Sequence, residues 1–173
     1  MENKLLHDNG LACKVSVDGT YFRIPTTEPY NCSYYSHKFT KPGVRYEAGI
    51  GIQTDFIVWV HGPSKYGFPD ILIFCSAIKG KLLKAKEQAE VDDGYAGELA
   101  VADLPKEMLC GSPRQRKRKG IVWSRHETCN KRFKQFGALK QAFRHTISRY
   151  KDVPTTISVI TQITIFLSTL NSR

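Results

Sequence analysis

Three carboxylates sit where phosphodiester chemistry would use them. Asp18 closes a short β-prone run, Val15-Ser16-Val17. Asp92 closes a second, Ala89-Glu90-Val91, and Glu127 stands 35 residues further on in a strongly basic stretch. Strand ends and the loops after them are common places for chemistry. If the two strands are parallel neighbours, Asp18 and Asp92 emerge side by side, and a carboxylate from a helix crossing that edge completes the set. Like charges a few ångströms apart raise one another's pKa, and a divalent cation resolves the conflict. Mg²⁺ and Mn²⁺ prefer oxygen ligands and keep waters or substrate phosphate oxygens. Two such ions can activate a water and stabilise the leaving oxygen of a phosphodiester.

On a helix Glu127, Lys131 and Lys134 fall at i, i+4 and i+7 and share one face, which suits a metal beside a phosphate backbone. Each acid also has a plainer role. Asp18-Gly19 and Asp92-Asp93-Gly94 suit turns. Glu127 suits an ion pair with Lys131, and Asp70 suits a cap on the helix that follows it. His126, beside Glu127, is placed to touch substrate, and its plainer reading is a surface histidine.

The charge is lopsided. The 173 residues carry 26 Lys and Arg against 16 Asp and Glu, a net charge of +10. Between Arg114 and Lys151 lie 13 of the basic residues and one of the acidic ones, which leaves 13 basic against 15 acidic elsewhere. One block carries the whole excess, and a polyanion is the partner such a block suits. A solvated face is the bland alternative. Apolar residues make up 41%, enough for a folded core. No stretch has the length and apolarity of a membrane span: Thr155–Leu170 is too short and carries Ser, Gln and Thr. The five cysteines are odd in number and form no Cys-x-x-Cys pair, which favours a reducing compartment over a zinc site or disulfide framework.

The elements that must position these residues read as follows. A first strand ends at Asp18. Tyr46, Ala48, Ile50 and Ile52 share one face of a second strand. Thr54-Asp55 turns the chain into a third, Phe56–Val60, antiparallel to the second. His61–Phe68, with Gly62, Pro63 and Gly67, reads as a loop. Pro69-Asp70 opens a helix to about Lys79, with Ile71, Phe74, Cys75 and Ile78 on its apolar face. Ala89–Val91 is a fourth strand. Leu104–Arg118 reads as loop, with residues 114–119 as a basic insert. A long helix starts near Arg125 and continues past Phe143. Thr155–Leu170 is ambiguous: its β-branched content favours a strand, while Val159, Gln162, Ile163 and Phe166 suit a helix. This order gives an α/β fold with a mixed sheet.

Five motifs occur in order: Val17-Asp18-Gly19-Thr20, Tyr35-Ser36-His37-Lys38, Phe68-Pro69-Asp70, Asp92-Asp93-Gly94-Tyr95, and Arg125-His126-Glu127-Thr128-Cys129-Asn130-Lys131-Arg132-Phe133-Lys134. Together, from about Lys14 to Gln162, they resemble the DDE superfamily endonucleases, in particular the PIF/Harbinger-type transposase catalytic domain. The resemblance implies a ribonuclease H-like mixed sheet flanked by helices, over residues 14–173 behind a short leader, 1–13. It implies Asp18, Asp92 and Glu127 as the catalytic acids, Asp70 as a further metal-binding position, and Mg²⁺ or Mn²⁺ as cofactor. Lys38, Lys131 and Lys134 would contact DNA phosphates, contacts that position DNA without reading its sequence. Whether Asp92 or Asp93 is the second ligand stays open.

The implied activity is metal-dependent cleavage of DNA followed by strand transfer. Only 17 residues precede Asp18, where such transposases usually carry a DNA-binding region. End recognition is therefore expected to be lost or supplied by a separate DNA-binding protein, and the domain to be truncated. Further copies of the chain are also implied as partners, because family members often act as dimers or larger assemblies. The run Arg114–Lys119 resembles a nuclear-import signal and points to the nucleus. Two other readings compete. One is a nuclease-dead DNA-binding module of the same origin. The other is an unrelated basic nucleic-acid-binding protein whose acids lie far apart.

Overall fold

Val15 and Val17 alternate with polar neighbours, and the chain takes the extended form that this period favours. In a computed structural model, which describes residues 13–77, 88–92, 95, 102–103 and 113–170, strand β1 spans Cys13–Arg23. It does not end at Asp18. Five more residues continue it, because Gly19 to Arg23 pair with Glu47 to Gly43 of β3 (Lys41–Gly51). Asp18-Gly19 is thus mid-strand and not a turn.

Strand β4 (Ile57–Lys65) pairs antiparallel with the other side of β3. Thr54 and Asp55 make the turn between them, both donating to Gly51 O, with Asp55 left-handed at φ 58°. Of the expected loop His61–Phe68, His61–Lys65 is strand, and only residues 66–68 turn. Gly62 and Pro63 fit because β4 is the sheet's outermost strand and its register slips at that point; an edge strand tolerates a missing donor.

Strands β5 (Gln88–Glu90) and β6 (Ala102–Asp103) add on the far side of β1, each parallel to its neighbour. The order is β4-β3-β1-β5-β6, with the two-residue β2 (Tyr35–Ser36) on the start of β3. Helices cover both faces. The fold is a mixed α/β sheet in a ribonuclease H-like layout.

Helix α1 (Asp70–Ala77) buries Ile73, Phe74 and Ala77. The expected face was rotated by about one residue: Ile71 and Cys75 are only half-buried, and Ile78 lies outside the described residues. Helix α2 runs Pro113–Phe133. The run 114–119 is therefore helix and not a loop insert. Proline suits the first helical position, and the Arg, Gln and Lys that follow are good helix formers. The rest of the supposed loop, 104–112, lies outside the described residues.

Nor does the helix continue past Phe143. It stops at Phe133, and Gly137 opens a separate turn of helix, α3 (Gly137–Lys140). Then follow α4 (Ile147–Tyr150) and α5 (Asp152–Leu170). The ambiguous C-terminal stretch is helix because Ile157, Thr161 and Ile165 recur at helical spacing and bury themselves on the sheet side. Val159, Ile163 and Phe166, which suggested a helix in the sequence, lie on its exposed side.

Two cores follow, one on each face of the sheet. Phe22, Val44, Tyr46, Ala48 and Ile50 pack against α2 to α5 through Cys129, Phe133, Leu139, Tyr150 and Ile157. Val15, Val17, Ala89 and Val91 pack against α1 through Phe74 and Ala77, with Tyr95. Among the described residues, no helix is long and apolar enough to cross a membrane.

Candidate carboxylate site

Ser16 is the register partner of Glu90 in the parallel β1–β5 pair. Two residues further on, the same register sets Asp18 beside Asp92, just past the end of β5. Successive side chains on a strand alternate in direction. Asp18 therefore shares the face of Ser16 and Phe22, toward α2, while Val17 and Gly19 face α1.

Asp18 lies largely out of water. Burial, then the charge of Asp92, push its carboxyl up from 3.8 to about 6. The Gly19 backbone N–H and the Asn130 amide pull the other way, the latter donating to Oδ2 at 3.2 Å. Asp18 and Asp92 together offer hard oxygen donors, and burial disfavours the charge on Asp18. The residues fit a divalent ion with oxygen preference.

Glu127 is not gathered into that pair. On α2 the stripe facing the sheet comprises His126, Cys129, Asn130 and Phe133. Glu127 lies on the adjoining flank, exposed and paired with Lys131 at 2.9 Å. That bond holds its carboxyl below the usual range. Even so, Glu127 lines the same cleft as Asp18. The cleft, about 650 Å³, is walled otherwise by α2 residues, among them Trp123, Asn130 and Lys131, and by Lys134 just after the helix. Both lysines are exposed.

Asp70 belongs to the other face. Its carboxylate pairs with Arg45. It also lies 3.6 Å from where a Cβ on Gly19 would stand. Burial raises its pKa, Arg45 lowers it, Asp92 raises it and Lys38 lowers it again. Asp92 is thus felt from both sides of the sheet. Lys38 sits at the surface in the turn after β2, on the Asp70 side and away from the cleft. Asp93 lies outside the described residues. Among the described residues, no three His, Cys, Asp or Glu side chains come together as a metal-binding group.

His126 is not a surface residue. It is 2% exposed, and its Nε2 lies 2.8 Å from Ser16 Oγ. Burial pushes its pKa down to about 4, so it packs as a neutral ring. Arg125 ties the same turn of α2 to the β3–β4 turn through Asp55, at 2.6 Å.

Two residues near the carboxylates were not among the site residues expected from the sequence. Asn130 is one; its spacing of four from His126 was the available clue. Glu47 is the other. It is wholly buried on the α1 face, where Tyr95 Oη donates to its Oε1 at 3.2 Å. Burial pushes its carboxyl up to about 8. An acid beside Tyr46 on a strand reads as solvent-facing unless the helix covering it is known.

Compared with known protein families, curated proteins and solved structures, the chain matches none.

Proposed function

We propose that the chain is a divalent-metal-dependent DNA endonuclease and strand-transfer domain of transposase type. One observation carries this reading: Asp18 on β1 has Asp92, two residues past the end of the parallel strand β5, as its charged neighbour, and Asp18 is pushed up to about 6 by burial and by Asp92. A largely buried carboxylate at the wall of a basic cleft, with a second one beside it, is costly for a structural element and useful for binding a cation beside a polyanion. Mg²⁺ or Mn²⁺ held by Asp18 and Asp92 would supply the Lewis acid that polarises a phosphodiester and activates water.

The chain's own residues do the rest. Asn130 orients Asp18 by its amide hydrogen bond. Lys131 and Lys134 draw a phosphate backbone to the cleft wall. Glu127, already in the cleft wall, is the third acid available to it once released from Lys131. Asp70 holds Arg45 and supports the strand pair from behind.

The second reading, a DNA-binding module with no cleavage, draws on the Glu127–Lys131 pair: an acid already satisfied by a lysine is not waiting for a metal. Plasmid nicking in Mg²⁺ or Mn²⁺ separates the two. The nuclease reading expects metal-dependent nicks that vanish in Asp92→Asn. If neither protein nicks and both bind DNA equally, with affinity falling steeply as salt rises, the binding module is the correct description.

A further inference from the structure

On the face of the sheet away from the cleft, beyond Asp70, three rings form a cluster. Tyr21 of β1 lies flat across the start of β3, its hydroxyl donating to Pro42 O at 2.8 Å. Gly43 leaves the space it occupies: a Cβ there would stand 2.1 Å from the ring. Phe39, in the turn between β2 and β3, stacks on Tyr21 with centroids 4.7 Å apart and planes 20° from parallel. Tyr66, just after β4, meets Tyr21 edge-on at 4.7 Å. Cations surround the rings. Arg45 lies 4.6 Å over Tyr66 and Lys38 lies 5.6 Å over Phe39. Lys41 is exposed next to the turn.

A small core serving only the hairpin would bury its outermost ring. Phe39 is 43% exposed, although Ser36 Oγ fixes its backbone by accepting from its N–H. A fixed, partly exposed aromatic ring with the Lys38 ammonium beside it and Lys41 exposed two residues on matches what an unpaired base and its phosphates require. Bases stack on aromatic faces whatever their sequence, and lysines follow the backbone. A base pair inside a duplex hides its faces and cannot use such a ring.

We propose that the Tyr21–Phe39–Tyr66 cluster, with Lys38 and Lys41, is a binding surface for single-stranded nucleic acid. It is separate from the carboxylate cleft and requires no cleavage. The test is fluorescence anisotropy with short labelled oligo(dT), oligo(U) and a DNA duplex, on the full chain. Phe39→Ala is expected to weaken single-strand binding about tenfold or more with the salt dependence unchanged, to leave duplex binding as it was, and to be rescued by Phe39→Trp. Lys38→Ala is expected to lower affinity and flatten the salt dependence. The ratio of oligo(dT) to oligo(U) affinity tells whether DNA or RNA is the natural strand. Wild-type protein that fails to bind single strands would overturn the proposal. So would Phe39→Ala that binds them normally while melting lower, or that weakens duplex binding equally.

Discussion

Asn130 on α2 and Asp18 on β1, 112 residues apart in sequence, meet at 3.2 Å, amide to carboxylate. Through this contact the helix carrying the basic block touches the sheet's central strand at the site. The neutral residue touches Asp18, and the acid one turn earlier does not. The identity of residue 130 therefore sets the charge of the site at rest.

Replacing Asn130 with Asp would add a third carboxylate to Asp18 and Asp92. Without divalent ions Asn130→Asp should be destabilised by about 1–3 kcal/mol, as a lost hydrogen bond and a new like-charge contact combine. Millimolar Mn²⁺ should restore much of that loss. Thermal melts with and without Mn²⁺ measure both effects, and a variant indifferent to Mn²⁺ would speak against cation binding there.

Asp18→Asn should stabilise the protein at neutral pH. The folded carboxyl titrates near 6 against an ordinary 3.8. Its favourable contribution is thus complete below pH 3.8 and lost as pH rises through 6. The variant should gain about 1–3 kcal/mol at pH 7 and nothing below pH 4. Mg²⁺ should raise the melting temperature of the wild type and not of the variant, since only the wild type has the full donor pair.

Glu47 gives a second pH signature, from the opposite face. Its carboxyl, at about 8 in the fold and 4.5 ordinarily, contributes stability that is full below pH 4.5 and gone above pH 8. Relative to Glu47→Gln, the wild type should weaken across that window by at most about 4 kcal/mol. Urea midpoints at pH 5 and pH 9 read it directly; parallel lines for the two proteins would mean that Glu47 is ionised and paired throughout.

His126 has the reverse sign. Its ring titrates near 4 when folded and 6.5 ordinarily, so the unfolded chain takes up the proton first. Stability is lost as pH falls from 6.5 toward 4, against the trend set by Asp18 and Glu47. Replacing His126 with Gln, which can keep a contact to Ser16, should remove this acid-side loss while leaving the alkaline limb of the curve intact. Paired urea titrations of the two proteins at pH 7 and pH 4.5 check this.

Gly43→Ala should cost about 1–3 kcal/mol, because the new methyl group meets the Tyr21 ring and must expel it from the start of β3. The lost Tyr21–Phe39 stacking should appear as a change in near-ultraviolet circular dichroism, with far-ultraviolet helix and strand signals retained.

Sequence and structure agree best where the pattern is local and periodic. Tyr46, Ala48 and Ile50 alternate and are buried together, and the turn at Thr54-Asp55 follows from its residue types. Asp18 beside Asp92 was legible as a conditional, needing only that two strands be parallel neighbours. The failures share a cause. Asp18-Gly19 has turn chemistry, yet nine paired residues of β3 hold it straight. Pro113 to Lys119 has the charge density of a solvated loop, but also the propensity of a helix, and helix prevailed. Glu47 and His126 look like surface residues because nothing nearby in sequence says which elements close over them. The position of Glu127 on the flank of α2 depends on the helix's rotation, which a tilt of one residue changes.

The parallel pairing of β1 with β5 also has a consequence in time. The β1–β3–β4 meander closes on sequence neighbours, whereas the partners of Asp18 come from positions 92 and 130. During synthesis the chain emerges N-terminus first. A ribosome therefore releases a nearly complete antiparallel sheet with a lone aspartate long before it releases the second carboxylate, and the helix later still. Distant contacts of this kind close slowly. A nascent chain or a fragment that ends before position 92 carries Asp18 alone and has no carboxylate pair with which to hold a cation.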